Sequence, residues 1–465
     1  MSNLSPVTIP CTNPATGAPL RYRRTLPDDA LQAVLTDGLE AQRAWALRPP
    51  EERVEPLLRV AEGLRAGAEA SARLMAEEMG KPLAQGRAEV EKCALACEHY
   101  AEHGPTLLRP EPLSTDGGHS ALHWRPLGLV LAVMPWNFPF WQVVRFAAPT
   151  LLAGNGVLVK HAPGVPGCAE TLAEVFEGAG LPAGLYADLV LEEPRVADLI
   201  ARPEVAAVTL TGSTRAGRAV AAAAGAALKK TVLELGGSDA YVVLADADVD
   251  AAAAACVEAR LVNSGQSCIA AKRFVVVDAV REAFTARVVE RMAARRWGDP
   301  LADEAVDLGP LARVDLRDAL HEQVTASVAA GARLLLGGEV PDGPGAFYPP
   351  TVLADVRPGM PAFDEETFGP VAAVVPARDE DEAFELANRT VYGLGGAVFT
   401  ADPARGERLA VERLEAGSCS VNAMVFSDPR APFGGIKASG HGRELGALGM
   451  REFCQAKVVR VAGGV

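Results

Sequence analysis

The sequence has 465 residues, which is too long for one ordinary hydrophobic core, so we expect two or three domains. Its net charge of −14 disfavours nucleic acid as a partner, because an acidic surface repels a polyanion. No stretch reaches about 18 uninterrupted apolar residues, which argues against a membrane span, and the opening ten residues lack the pattern of a signal peptide. We therefore expect a cytoplasmic protein without a membrane or nucleic-acid partner.

The first predicted elements are helices. From Asp28 to about Glu102, apolar residues recur every three or four positions in a background rich in Ala, Leu and Glu. Helix starts are indicated at Pro49-Pro50 and after Gly80-Lys81-Pro82. From Ser120 to Met134 the pattern changes to a strand-like run that contains a turn before Leu129.

After residue 134, short β-branched runs alternate with Ala-rich helical segments. This alternation predicts an α/β fold with a mostly parallel sheet. A second α/β stretch begins near Ala251, with a strand expected at Arg273–Val277. The tail from Cys454 to Val461 is expected to be a strand, and a terminal strand commonly pairs with the sheet edge of another subunit.

The eight cysteines are scattered along the chain, unlike a disulfide framework. Cys93 and Cys97 are one helical turn apart, but no second close pair or nearby His completes a zinc site. We interpret them as packed thiols and expect no metal site.

Three short segments could carry chemistry. The loop ending at Cys268 is small, polar and Gly-containing, so it can expose a thiol beside backbone N–H groups, although a buried structural Cys fits equally well. Glu234 precedes a Gly pair at a strand end and could be a general base, or simply a turn-capping Glu. Asn137 lies in a bend between two prolines, where its amide could donate to an oxyanion or only form the turn.

A fourth segment, Leu210 to Gly217, joins a predicted strand to a predicted helix. The free N–H groups of such a helix start suit a pyrophosphate, although the spacing matches neither GxGxxG nor a P-loop.

Taken together, these segments make the sequence resemble the aldehyde dehydrogenase superfamily over nearly the whole chain. The 34 residues from Glu234 to Cys268 equal the family spacing. The matching motifs, in family order, are Asn13-Pro14-Ala15-Thr16-Gly17, the Asn137 bend, Lys160, Gly212-Ser213, Glu234, the Cys268 loop, Glu365 to Pro370 and Pro432 to Gly440.

The resemblance implies a role for each matched residue. It assigns Cys268 as the nucleophile, Asn137 as the oxyanion donor and Glu234 as the base that activates water. For the cofactor it implies contacts from Trp136, Lys160, Gly212, Ser213, Glu366 and Phe368. Relatives that prefer NAD often have a Glu three residues after the lysine; here that residue is Pro163, so we expect NADP to be usable, along with NAD.

The resemblance also implies the architecture. It gives a Rossmann-type NAD(P)-binding domain at residues 1–118 and 134–238, an α/β catalytic domain at 239–440, and an oligomerisation β-element at 119–133 and 441–465. A homodimer or homotetramer is the expected assembly.

The substrate class is inferred from a predicted helix after Pro139. Phe138, Trp141, Gln142 and Arg145 fall on one face of it, which would place a guanidinium among aromatic rings, suited to a carboxylate at the far end of the substrate. Arg145 could instead form a structural salt bridge. Succinate-semialdehyde dehydrogenases resemble this chain at Arg145 and Ser427, so a short semialdehyde is the expected substrate.

Four other interpretations stay open. The chain could oxidise general aliphatic or aromatic aldehydes, or it could be a catalytically silent protein with this fold. A CoA-acylating dehydrogenase usually lacks the Glu234 carboxylate. A papain-like hydrolase would need a His partner for Cys268, for which His161 or His441 are candidates.

Overall fold

The computed structural model describes residues 7–116 and 118–462. The expected helical region near the N-terminus is present, and helices then alternate with strands. The helices are α1 (Asp28–Leu47), α2 (Val54–Ala66), α3 (Ala68–Met79), α4 (Leu83–Leu107), α5 (Trp141–Leu152), α6 (Pro166–Gly178), α7 (Pro194–Ala201), α8 (Thr214–Ala226), α9 (Val249–Leu261), α10 (Asp278–Ala293), α11 (Val314–Ala329), α12 (Pro361–Asp364), α13 (Glu380–Asn388), α14 (Pro403–Arg413) and α15 (Gly446–Glu452).

The strands form four sheets. They are β1 (Thr8–Thr12), β2 (Pro19–Arg24), β3 (Glu111–Leu113), β4 (Gly118–Pro126), β5 (Leu129–Val133), β6 (Gly156–Lys160), β7 (Tyr186–Asp188), β8 (Val205–Thr211), β9 (Lys230–Glu234), β10 (Ala240–Val243), β11 (Arg273–Val277), β12 (Arg333–Leu336), β13 (Thr351–Ala354), β14 (Val371–Ala377), β15 (Gly395–Phe399), β16 (Ser418–Val421), β17 (Gly440–His441) and β18 (Cys454–Ala462).

The first large sheet has the order β17-β9-β8-β5-β6-β7. Its strands are parallel except β17, which pairs antiparallel with β9. The central strands are almost wholly apolar because helices cover both faces of a parallel sheet. The expected α/β fold is confirmed.

The second large sheet has the order β12-β13-β14-β11-β10-β15-β16, and only β12 is antiparallel. The helices α9, α10 and α11 belong to the same half of the chain as these strands. Two buried apolar clusters lie against the sheet. The carboxyl end of β9 leads from the first sheet towards the second, so the two halves meet near Glu234.

The third sheet is antiparallel with the order β18-β4-β3. β18 pairs along its whole length with β4, from Cys454 opposite Pro126 to Ala462 opposite Gly118. Its other edge is open in the single chain, and valines 458, 459 and 461 on it are exposed.

One expected boundary is wrong. Residues 119–133 do not form a single oligomerisation segment, because β5 (Leu129–Val133) is a central strand of the first large sheet. Leu129 to Ala132 are fully buried, and only a strand covered on both faces can bury such a run. Residues 1–6, 117 and 463–465 of the expected domains lie outside the described residues.

No helix in the described part of the chain is both long enough and apolar enough to cross a membrane.

Candidate active site

The loop before Cys268 has an unusual backbone. Asn263, Ser264 and Gly265 follow α9 with φ angles of 53°, 56° and 76°, three consecutive left-handed conformations. Side chains hold this shape: Ser264 Oγ accepts a hydrogen bond from Gly309 N at 3.0 Å. Because residues other than glycine rarely adopt these backbone angles, the loop is strained, and strain of this kind is common at functional sites.

Lys272 holds the backbone on the other side of Cys268, the candidate nucleophile. Its ammonium group is buried and donates to the carbonyl oxygens of Ser267 at 3.1 Å, Cys268 at 2.6 Å and Ala270 at 3.2 Å. It also lies 3.5 Å from the Glu366 carboxylate. Lys272 was not predicted from the sequence, although a lysine four residues after a candidate nucleophile could have indicated it.

The Cys268 thiol is surrounded by charged groups. Burial raises the pKa of Cys268 to about 12, Arg145 and Lys272 oppose this rise, and Glu366 and Glu234 add to it. The residues expected to act together are therefore close enough to influence one another electrostatically. In this state the sulfur is a thiol at neutral pH.

Asn137 is fixed beside the loop of residues 263–268, which ends at the candidate nucleophile and is called the nucleophile loop below. Its side-chain Nδ2 donates to the Gln266 carbonyl oxygen at 3.0 Å, and its own carbonyl accepts from Asn263 Nδ2 at 2.7 Å and Lys81 Nζ at 2.9 Å. An amide nitrogen carries two protons, so one remains for an oxyanion.

A buried ion pair holds the Asn137 bend and was not predicted from the sequence. Lys81 and Glu89 are both buried and pair directly. Glu89 Oε1 accepts from the backbone N–H groups of Phe140 at 3.0 Å and Trp141 at 2.9 Å. A carboxylate thus caps the N-terminus of α5 from another helix, which satisfies amides that the helix itself leaves unpaired.

Glu234 lies at the end of β9 and is 2% exposed. Among the described residues, neither of its carboxylate oxygens has a hydrogen-bond partner. Desolvation, followed by the nearby Glu444, raises the pKa of Glu234 well above its usual value, while Arg145 and Arg443 act in the opposite direction. A carboxylate in this environment is a stronger base than an exposed one.

Arg145 forms the salt bridge that was one of the two interpretations of it, with a partner that was not predicted. It is buried, forms an ion pair with the equally buried Glu444, and its guanidinium lies 5.2 Å from the centre of the Phe433 ring. The rings expected around it face lysines instead: Lys81 lies 4.0 Å from the Phe138 ring centre. Phe433 and Glu444 pair with each other through their backbones, a long-range contact that helical spacing cannot reveal.

A cavity of about 300 Å³ opens at Cys268. All four expected substrate residues line it, and so do several that were not expected. The expected ones are Phe138, Trp141, Arg145 and Ser427; the others include Gln85, Glu89, Lys92, Gln142 and Phe433. Asn137 and Glu234 are not among the residues that line this cavity.

The expected cofactor residues form a second group. Glu366 Oε1 accepts from Gly237 N at 3.1 Å, and a Cβ on Gly236 would stand 2.4 Å from the other oxygen of Glu366. Trp136 and Phe368 meet edge to face, with ring centres 5.8 Å apart. The carboxylate and the two rings are thus placed together beside the nucleophile loop.

Lys160 and Ser213 lie at the carboxyl ends of β6 and β8, the two strands that flank β5 in the first sheet. Ser213 follows β8 and caps α8 by accepting from Ala216 N at 3.3 Å; Gly212 precedes it. Lys160 ends β6 and is 5% exposed, and within residues 7–116 and 118–462 its ammonium donates to no other group. These residues fit a dinucleotide: an ammonium without a protein partner among the described residues for a ribose, and an open helix N-terminus for a pyrophosphate.

The two histidines considered as partners of Cys268 in a hydrolase do not contact it. His161 is buried, and burial lowers its pKa to about 3; His441 Nε2 lies 2.8 Å from Thr231 Oγ1. Neither lines the cavity. The papain-like interpretation is therefore wrong.

Comparison with known sequences agrees with this geometry. The model of the aldehyde dehydrogenase family matches residues 2–459. Succinate semialdehyde dehydrogenase (NAD(P)+) Sad of Escherichia coli is 49% identical over 447 residues, covering 96% of each chain. Succinate-semialdehyde dehydrogenase (NADP(+)) 1 of Mycobacterium tuberculosis is 46% identical over 453 residues, covering 97% of this chain and 99% of the relative.

Solved structures agree as well. Succinic semialdehyde dehydrogenase from Streptococcus pyogenes, in complex with NADP+, matches with a TM-score of 0.95 and 36% identity, covering 98% of this chain and 100% of that one. Lactaldehyde dehydrogenase from Escherichia coli matches with a TM-score of 0.94 and 32% identity, covering 99% and 96%. The chain belongs to the aldehyde dehydrogenase family.

Proposed function

We propose that the protein oxidises succinate semialdehyde, or a similar short semialdehyde, to the dicarboxylate with NADP or NAD. The observation that carries the proposal is the single cavity that joins Cys268 to Arg145 and Ser427. A thiol at one position and cationic and hydroxyl groups at another suit a substrate with an aldehyde at one end and a carboxylate at the other. Relatives that bear this activity in their names are 46–49% identical.

Chemistry begins at Cys268. After it loses its proton, the sulfur attacks the aldehyde carbon and forms a thiohemiacetal. The Asn137 amide and the Cys268 backbone N–H donate to the oxyanion, and the Lys81–Glu89 pair keeps the Asn137 bend in place. A bound NAD(P) would supply the hydride acceptor, and loss of hydride from this carbon would leave a thioester on Cys268.

Glu234 completes the reaction. As the carboxylate it takes a proton from water, and the resulting hydroxide attacks the thioester carbonyl. The carboxylic acid leaves and Cys268 is restored. A buried base with a raised pKa suits this step because it accepts a proton more readily than an ordinary carboxylate.

The residues proposed to hold the cofactor are Lys160 and Ser213 at the adenosine and pyrophosphate end, with Gly212 before the helix, and Glu366, Phe368 and Trp136 at the nicotinamide end. Pro163 is exposed and carries no carboxylate, so nothing at that position repels a 2′-phosphate. This supports use of NADP as well as NAD.

We further propose a cytoplasmic homodimer or homotetramer. The open edge of β18 and its exposed valines support assembly through the three-stranded sheet. All eight cysteines are free thiols, as is usual in a reducing compartment.

The test is a panel of aldehydes assayed with each cofactor. We expect kcat/KM for succinate semialdehyde to exceed that for butanal, a chain of the same length without the carboxylate, by at least about tenfold. Equal values would reject the semialdehyde and leave a general aldehyde dehydrogenase. No NAD(P) reduction with any aldehyde would leave a catalytically silent protein.

A further inference from the structure

Lys92 is a second cation in the cavity, on a helix that none of the matched motifs includes. It lies on α4, and the face of α4 that lines the cavity has the spacing i, i+3, i+4, i+7 expected of one helical stripe. The members of this stripe are Gln85, Ala88, Glu89 and Lys92.

The Lys92 ammonium is held by two neutral groups. Nζ donates to Ser427 Oγ at 2.8 Å and lies 4.1 Å from the centre of the Trp141 ring. These contacts fix the position of the charge without neutralising it. Because an ammonium has three N–H bonds, two remain for a ligand, and the Ser427 hydroxyl still has its own proton to donate.

The other charged groups of the cavity already have partners of opposite charge. Arg145 pairs with Glu444, and Glu89 pairs with Lys81. Glu258, on the cavity wall, lies 3.1 Å from Arg295. By contrast, no carboxylate in the described part of the chain lies within ion-pair distance of Lys92 Nζ. Lys92 is therefore the cavity cation whose charge is not offset.

We propose that Lys92 binds the distal carboxylate of the substrate, together with the Ser427 hydroxyl and Arg145, and so determines the preference for semialdehydes. The inference rests on the proposed function. One carboxylate oxygen accepts from Lys92 Nζ and the other from Ser427 Oγ. An uncharged aldehyde has no group to pair with the ammonium, so the aldehyde gains none of this binding energy.

The experiment compares Lys92→Met, Lys92→Arg and wild type with succinate semialdehyde and butanal. Methionine keeps an unbranched stem against Trp141 and removes the charge together with the N–H donors. For Lys92→Met we expect kcat/KM for succinate semialdehyde to fall about 30- to 300-fold, and that for butanal to stay within about threefold. Lys92→Arg restores the charge and should recover most of the loss. Lys230→Met, a lysine that pairs with Glu452 away from the cavity, is the matched control and should leave both values unchanged.

Binding of the product gives a second measurement that does not depend on turnover. Calorimetric titration with succinate should show a weaker Kd for Lys92→Met, by a similar factor, and a near-normal Kd for Lys92→Arg. If Lys92→Met retains the wild-type preference and succinate affinity, or loses both substrates equally, the role of Lys92 is overturned while the proposed function stands. If wild type itself shows no preference, the semialdehyde proposal fails instead, and that result is visible without any variant.

Discussion

Arg145 and Glu444 form a buried ion pair beside Cys268, with side chains only 2% and 4% exposed. Glu444 also raises the pKa of Glu234, and Arg145 lowers it. Arg145, which lines the cavity, and Glu234, the candidate base, thus share one carboxylate neighbour.

The first prediction concerns this neighbour. Glu444→Gln removes a negative charge near Glu234. It also leaves the positive charge of Arg145 without its counter-charge, so that Arg145 stabilises the Glu234 carboxylate more strongly. Both effects lower the pKa of Glu234. Because Glu234 is proposed to act as the carboxylate, the acid limb of the turnover–pH profile should move to lower pH. Glu452→Gln, which alters a carboxylate paired with Lys230, should not move it. An unchanged limb in Glu444→Gln would mean that another group titrates in the profile.

The second prediction concerns Arg145. A charge-assisted pair with substrate is worth roughly 2–5 kcal/mol when truncated, about 30- to several-thousand-fold in kcat/KM. Arg145→Ala should therefore damage oxidation of succinate semialdehyde strongly and leave butanal within a few fold. Equal loss with the two aldehydes would show that Arg145 serves only as the partner of Glu444.

The sequence predicted the elements of the fold well, because hydrophobic period and turn residues are local. The strand at Arg273–Val277 has the predicted bounds. The assignment of β5 failed for a physical reason: which sheet a strand joins depends on distant partners, here β6 and β8.

The same limit applies to the site. Cys268, Asn137 and Glu234 were found because family motifs mark them. Lys81, Glu89 and Lys92 were missed because they lie on α4 or just before it and reach the site only by packing against α5. Glu444 lies four residues beyond the last matched motif, and its pairing with Arg145 depends on a contact between residues some 300 positions apart in sequence.

A third prediction tests the nucleophile loop. Gly265 has a φ of 76°, and a Cβ there would stand 2.2 Å from the Gly369 carbonyl oxygen. Gly265→Ala should lower the free energy of unfolding by at least about 2 kcal/mol and reduce turnover, since the loop carries Cys268. Gly178→Ala is the control, because its Cβ meets nothing within 4 Å. Urea unfolding of the two variants gives the comparison, and similar stabilities would contradict the strained-loop account.

A fourth prediction concerns pH and substrate charge. Burial, then the charge of Arg145, lowers the pKa of Lys92 to about 8. As pH rises through this value Lys92 loses its charge, so the ratio of kcat/KM for succinate semialdehyde to that for butanal should fall. Titration of Cys268 or Glu234 affects both substrates and cancels in the ratio.

The other groups around Lys92 do not mimic this effect. The charged or titratable ones are Glu89 and Cys93 on the same helix, Arg145 on α5, Asp428 in the Ser427 loop, and Glu258 and Cys268 on the cavity wall. In Lys92→Arg the fall in the ratio should disappear, because a guanidinium stays protonated. If the fall persists in that variant, a group other than Lys92 causes it.

The central claim is that oxidation proceeds through a thioester on Cys268 that Glu234 helps to hydrolyse. In Glu234→Gln, hydride transfer should still occur once per site and hydrolysis should almost stop, so the thioester accumulates. Mass spectrometry of this variant, mixed with NADP+ and succinate semialdehyde, tests this directly. We expect one succinyl group per chain, on the peptide that contains Cys268. No adduct, or an adduct on the exposed Cys419 instead, would contradict it.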